Sequence, residues 1–342
     1  MAGIPIGQFS NRSKINIWVI HLANEKQNYI QMKEHTEFQI RESIGEAVLK
    51  LTDISTVGEV THAQRAGEPM PSTEKLKLFV DKVRQIIFPG YFGPINFHPT
   101  SFHYHMGVLV DEVFHLLSEQ LLAGLCFVCD KEFNSDLESR KSEAERCAAE
   151  FISALPELRS VLISDVEAAY LGDPAATSFS EVVFCYPAIR AISSYRIAHA
   201  LHKFGIPLIP RIISEMAHSE TGIDIHPEAT IGPFFAIDHG TGIVIGSTTI
   251  IGKNVKLYQG VTLGAKSFSL DEAGNPVKGI PRHPIVEDNV VVYSNASILG
   301  RITIGHDSVI GGNIWITNDL PPYSRIVQNK AKTAEFIFGG GI

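Results

Sequence analysis

The sequence predicts a mainly α N-terminal domain over residues 1–220 and a left-handed parallel β-helix of hexapeptide repeats over 221–325, with a flexible tail over 326–342. Three observations carry this division. In the first half, apolar residues fall three and four apart, the spacing of one helical face. In the second they fall six apart, which suits neither a helix, at about 3.6, nor a plain strand, at about 2. A polar stretch, AKSFSLDEAGNPVKGIPR at 265–282, interrupts the second rhythm without ending it and reads as a loop leaving the repeat.

Within the first half, PELRSVLISDVEAAYLGDP reads as a helix. Pro156 suits a first turn, where its missing N–H is no loss, and Leu158, Val161, Leu162 and Val166 share a face. LGDP reads as the turn that stops it. AIRAISSYRIAHALHKFGIP repeats the pattern through Ile189, Ile192, Leu201 and Phe204. Lys203 falls in its last turn, Gly205 at the stop and Pro207 beyond. The signal is weaker before residue 75.

In the second half, Ile225, Ile231, Ile237 and Ile243 set the step of six. It continues at Ile245, Ile251, Leu257 and Leu263 after a two-residue slip around HGTGIVIG, and resumes at Val292, Ile298, Ile304, Ile310 and Ile316. In a hexapeptide β-helix each hexad supplies one short strand and one turn, and three hexads close a triangular coil. Stacked coils then bury the aliphatic column. A β-sandwich is the competing reading, and it needs an alternation that these residues do not follow.

Composition bounds the rest. Of 342 residues, 44% are hydrophobic and 19% charged, a globular mix with ample core material. The 29 basic and 37 acidic residues give a net charge of −8, which argues against nucleic acid or an anionic membrane as main partner. No apolar run approaches the roughly 20 residues of a spanning helix. MAGIPIGQFSNRSK lacks the pattern of a secretory leader, so a cytoplasmic location is expected. The cysteines are Cys126, Cys129, Cys147 and Cys185. CFVC has the spacing of a redox or zinc pair, but it lies in an apolar segment with no second pair, and core packing is the expectation. His98, His103 and His105 in HPTSFHYH read as a solvated or packed loop rather than a metal site.

Chemistry gathers around the repeat. DIHP supplies Asp224, IDHGTG supplies Asp238 and His239, and the loop's closing RHP returns Arg282 and His283 to the coil edge. Asp224 and His239 lie fifteen residues apart, and a coil takes about eighteen, so the two are expected to meet across neighbouring coils. A carboxylate beside an imidazole fixes one ring nitrogen as donor and frees the other as a base. Two other uses stand beside this one. His226, His239 and His283 are a candidate zinc set with water in the open position. The same residues also suit plain turns.

Taken together, these stretches resemble the serine O-acetyltransferase family. The resemblance is carried by TGIDIHPEATIGPFFAIDHGTGIVIGSTTIIGKNVKLYQGVTLGAKS and RHPIVEDNVVV, and in the helical half by GDPAA, YRIAHAL and FPGYFG, over roughly residues 75–325. It implies acetyl transfer from acetyl-CoA to the hydroxyl of L-serine, in cysteine biosynthesis, without a metal. It implies His239 as general base, Asp224 as the acid that orients it, and Asp238 and Asp173 of GDPAA as serine contacts. Arg282 and His283 match the pair that holds the serine carboxylate. Ala265, Ser294 and Gly312 fall where the family lines its acetyl-CoA channel. Ala265 stands where a glycine is common, and Ser294 where an alanine is. The resemblance further implies a trimer with sites between coils of neighbouring subunits, and a hexamer joined through the helical domain, although the N-terminal region is longer than in short members. FGGGI, ending in Ile342, is similar to the family's C-terminal peptide that enters O-acetylserine sulfhydrylase. Members are commonly inhibited by cysteine.

Two rivals remain from the sequence. One is a hexapeptide-repeat acetyltransferase acting on a sugar hydroxyl, since fold does not fix function. A neutral sugar leaves Asp173, Arg282 and His283 without a purpose. The other is a scaffold that holds the sulfhydrylase through FGGGI and catalyses little.

Overall fold

The computed structural model describes residues 11–53, 55, 68–93, 98, 101–128 and 136–328; Cys129 and the tail from 329 to Ile342 lie outside them. The chain divides into two compact units, Met1–Arg65 and Ala66–Ile342. Among its described residues the first holds one long helix, α1 (Asn11–Leu51).

The second unit opens with helices. α2 (Thr73–Ile87) starts at Ser72, whose hydroxyl accepts the N–H of Lys75, a cap worth about 1 kcal/mol. Its apolar face, Leu76, Phe79 and Val83, is buried. α3 (Phe102–Val128) adds Val113, Leu117 and Leu121 to the same core. α4 (Leu137–Gly172) adds Phe151, whose ring lies 5.6 Å from that of Phe79. α5 (Phe179–Cys185), α6 (Pro187–His202) and α7 (Ile209–Thr221) follow, and α7 stops at Gly222 in the left-handed region, φ 69°.

Two expectations need correction here. Pro156 does not begin a helix; it lies inside α4. Ala144, Cys147, Ala148, Phe151 and Leu155 bury the same face for three turns upstream, and that packing outweighs one missing hydrogen bond. His103 and His105 lie on the first turn of α3, exposed, rather than in a loop. Cys126 is buried on α3, where Arg140 donates to its sulfur at 3.4 Å.

From Asp224 the chain winds into coils. β1 (Asp224–Ile225), β2 (Thr230–Ile231) and β3 (Ala236–Asp238) form the first, and β4 (Val244–Ile245), β5 (Ile250–Ile251) and β6 (Lys256–Tyr258) the second. β7 (Thr262–Gly264), β8 (Ile285–Val286) and β9 (Val291–Val292) form the third, and β10 (Ser297–Leu299), β11 (Thr303–Ile304) and β12 (Val309–Ile310) the fourth. β13 (Trp315–Ile316) and β14 (Arg325–Ile326) complete a fifth. The strands stack into three parallel sheets, β1-β4-β7-β10-β13, β2-β5-β8-β11 and β3-β6-β9-β12-β14. Ile225, Ile245, Leu263 and Ile298 fall in register down one of them, all buried. The repeat resumes at Val286, one hexad before the expected Val292, because the loop's return hides the phase in the sequence.

The first coil has no coil before it, so its outward carbonyls need other partners. The helices supply them. The Tyr195 hydroxyl donates to the Ala229 carbonyl at 2.6 Å, and His199 Nδ1 donates to the Pro227 carbonyl at 2.8 Å. Arg196 donates to the carbonyls of Ile231 and Gly232 while its other N–H groups hold buried Asp165 at 3.0 and 3.1 Å. This is how the helical half is joined to the coil, and it brings the end of α4 beside the second coil. No described helix is long and apolar enough to cross a membrane.

Candidate active site

Three corners run along the triangular coil, and the expected residues occupy two of them. The first corner follows β3, β6, β9 and β12. Here Ile237 is followed not six but eight residues later by Ile245, and HGTG makes a longer turn. His239 sits on that turn with φ 58°, the left-handed region that a β-carbon disfavours. Its side chain is 77% exposed, and Nε2 lies 3.7 Å from Asp238 Oδ1. Gly240 and Gly242 share positive φ, and a side chain at Gly240 would strike Ile223.

Asp238 is only 17% exposed and is held from the other side. Lys256, one coil on, donates to Asp238 Oδ2 at 2.8 Å and to the last α4 carbonyl, Gly172, at 2.6 Å. Its ammonium lies 4.4 Å from the centre of the Tyr258 ring. The next residue after Gly172 is Asp173. Its carboxylate accepts the Tyr186 hydroxyl at 2.5 Å and the Ala175 N–H at 2.8 Å. The Tyr186 hydrogen bond, then the Ala175 N–H, hold Asp173 below the usual carboxylate range; positive charge at Lys256 and His239 acts the same way. Tyr186, donating to an acid, is pushed up to about 12. The first corner therefore gathers two acidic side chains, one ammonium and an exposed imidazole.

The second corner follows β1, β4 and β7, and it is built in the opposite manner. The loop 265–282 leaves from it and returns to it. Thr248, in the turn after β4, receives the returning chain through N–H groups of Arg282 and His283 at 2.9 and 3.1 Å. His283 is 7% exposed. Burial, then the charges of Arg282 and Arg301, push its imidazole down to about 4. His226 lies at the same corner two coils earlier, also down to about 4, by burial first and then by Arg211, His202 and His283.

The structure thus brings Asp173, Asp238 and His239 together, and separately Arg282 and His283. Within one chain the two groups lie at different corners. Within one chain the candidate zinc set is divided in the same way: His226 and His283 share a corner that His239 does not, and no group of three or more metal-ligating side chains occurs among the described residues. Asp224 begins β1, and the segment before it is bonded to the His239 turn through Gly242 N–H to Gly222 O, 2.8 Å, and Asp224 N–H to Ile243 O, 2.9 Å. Both residues belong to the first coil, not to neighbouring ones, because the longer corner stretches that coil until Asp224 pairs with Val244. No hydrogen bond or ion pair joins the two side chains within the chain; the His239 ring faces Asp238 instead. Ser294 and Gly312 stack on the first corner, where a side chain at Gly312 would meet the Ser294 carbonyl at 3.0 Å. Ala265 lies on the second corner, at the root of the loop.

Sequence reasoning missed Tyr186, Lys256, Thr248 and Arg301. Their places follow from register and helix ends, which no local motif announces.

No family model matches the chain. Whole-chain similarity decides. A plasmid-borne serine acetyltransferase of Synechococcus elongatus is 48% identical over 276 residues, 80% of this chain and 86% of the relative. The chain belongs to the serine acetyltransferase family. The serine acetyltransferase of Helicobacter pylori is 47% identical over 161 residues, 47% of this chain and 89% of its own. Among solved structures, serine acetyltransferase 1 of Entamoeba histolytica in complex with L-cysteine superposes with a TM-score of 0.64 at 34% identity, covering 78% of this chain and 91% of that one. The helices followed by a parallel β-solenoid are therefore the fold of this serine acetyltransferase family.

Proposed function

We propose that the protein transfers the acetyl group of acetyl-CoA to the hydroxyl of L-serine, giving O-acetyl-L-serine for cysteine biosynthesis in the cytoplasm. The observation that carries this reading is the convergence of Asp173 and Asp238 on the corner where His239 stands exposed. Two acids suit an ammonium, and a base beside them suits the hydroxyl of the same small molecule. The Entamoeba relative holds L-cysteine, which shares serine's ammonium and carboxylate. That likeness also supports cysteine as a competitor for this pocket.

In this reading His239 takes the serine hydroxyl proton as the oxygen attacks the thioester carbonyl. The tetrahedral intermediate then collapses, and CoA leaves as the thiol with that proton. Rotation of the exposed imidazole toward Asp224 gives it the carboxylate partner that steadies the imidazolium. Asp173 and Asp238 hold the serine ammonium, and Arg282 and His283 of a neighbouring subunit in a trimer hold its carboxylate. Fixing both ends aligns the hydroxyl, and orientation of this kind is worth on the order of 7 kcal/mol. Acetyl-CoA runs along the first corner past Ser294 and Gly312, with Ala265 contributed from the facing subunit's second corner. Trimers pair into hexamers through the helical half, and the tail ending at Ile342 docks into O-acetylserine sulfhydrylase. A terminal carboxylate with one apolar anchor suffices for such capture.

Release of CoA thiol with L-serine, against a panel of sugars and other amino acids, tests the reading. Serine-dependent release is expected, inhibited by added cysteine; release with a sugar and not with serine overturns it. Removing Ile342 is expected to abolish capture of the sulfhydrylase while leaving transfer intact, which sets an enzyme with a docking tail apart from a scaffold.

A further inference from the structure

The corner that holds His283 is more tightly bonded than a loop end requires. The Thr248 hydroxyl oxygen accepts two N–H groups, from Arg282 at 2.9 Å and from His283 at 3.1 Å. Both its lone pairs are then engaged, and its one proton is left for His283 Nδ1, 2.8 Å away. The backbone N–H of Thr248 points at the same nitrogen at 3.1 Å. Two donors converging on Nδ1 leave it no proton of its own, so the ring proton sits on Nε2. Arg301 secures the arrangement from the fourth coil by donating to the carbonyls of Thr248, at 2.6 Å, and of His283, at 3.0 Å. Gly246 completes it, since a β-carbon there would run into the Cδ2–Nε2 side of the ring. Nε2 itself finds no acceptor among the described residues and is not sealed from solvent.

We propose that Thr248 is a positioning residue that presents His283 to the substrate carboxylate as a neutral Nε2–H donor beside the Arg282 guanidinium. The proposal rests on the reading of serine acetylation above, and it assigns the pair unlike duties. Arg282 supplies the charge, and His283 supplies direction. The burial that holds the imidazole down near pH 4 keeps it neutral where the base works. A second cation at this place would bind any anion. A fixed N–H donates only to a carboxylate presented in its plane.

Nitrogen NMR of the full-length protein labelled at histidine, together with steady-state kinetics of Thr248→Val and Thr248→Ser, tests this. The wild-type His283 signal is expected to show the Nε2-protonated tautomer between pH 6 and 8. Thr248→Val is expected to raise KM for serine about tenfold while kcat and KM for acetyl-CoA stay within about threefold, since Arg282 and the two acids still hold both ends of serine and the one weakened carboxylate contact binds ground and transition states alike. Thr248→Ser is expected to restore the serine KM. An Nδ1-protonated ring in the wild type overturns the proposal, as does a valine variant with unchanged serine KM or one that loses kcat alone. Should the valine variant fail to fold, the wild-type tautomer and the serine variant's KM decide. A wild-type protein that does not acetylate serine overturns the functional reading, while the NMR result still decides the tautomer.

Discussion

The two working corners of the coil each hold one of the expected site histidines, His239 and His283, and treat them in opposite ways. His239 stands 77% exposed on a left-handed turn, its Nε2 3.7 Å from Asp238 Oδ1. His283 is 7% exposed, bonded through ring and backbone to Thr248, and its neutral form is enforced by burial. A base must turn between partners and exchange a proton, so looseness serves it. A substrate holder must keep one donor at one angle, so burial serves it. The same side chain performs either task, and the corner selects which.

The largest expected effect separates the two corners. His239→Ala is expected to lower kcat by about 10²–10⁴-fold, the usual contribution of a general base. The melting temperature should not change, because the ring packs against almost nothing. Near-normal turnover in that variant would remove His239 as the base. Gly246→Ala should do the reverse: its β-carbon meets the His283 ring, and overpacking of this kind costs about 1–3 kcal/mol. A lower melting temperature and a weaker serine KM are expected together, and a variant as stable as the wild type would mean that the His283 pocket is not rigid.

The smallest effect is a pH slope. In the folded chain His226 and His283 refuse protons until about pH 4, whereas unfolded imidazoles take them up from about pH 6.5. The unfolded state binds more protons in that window, so stability falls as the pH is lowered from about 6.5 to 4. Thermal melts across this range are expected to show the slope, and His226→Asn should flatten part of it. An unchanged slope in that variant would place the titration elsewhere.

Much of the fold was written in the spacing. The step of six announces a solenoid because every sixth side chain must enter the same column, and Ile225 through Ile316 do. The helices of the first half were legible in outline, yet Pro156 misled, since a local preference of that size yields to a buried face that extends upstream. The site divided along a similar line. His239, Asp238, Asp173, Arg282 and His283 belong to contiguous motifs and could be named from the sequence. Lys256 reaches Asp238 only because β3 and β6 pair Asp238 with Tyr258, and Thr248 meets His283 across thirty-five residues of chain. Contacts set by register leave no trace in a single sequence.

The eight-residue gap between Ile237 and Ile245 has one more consequence. Because the extra residues fall in a turn and not in a strand, they leave the strand pairing untouched: Ile245 still stacks on Ile225, just as Val286 stacks on Ile251 after the far longer detour of residues 265–282. A solenoid thus lets one corner protrude without disturbing the stack above it, and it is on such a protrusion that the exposed imidazole stands.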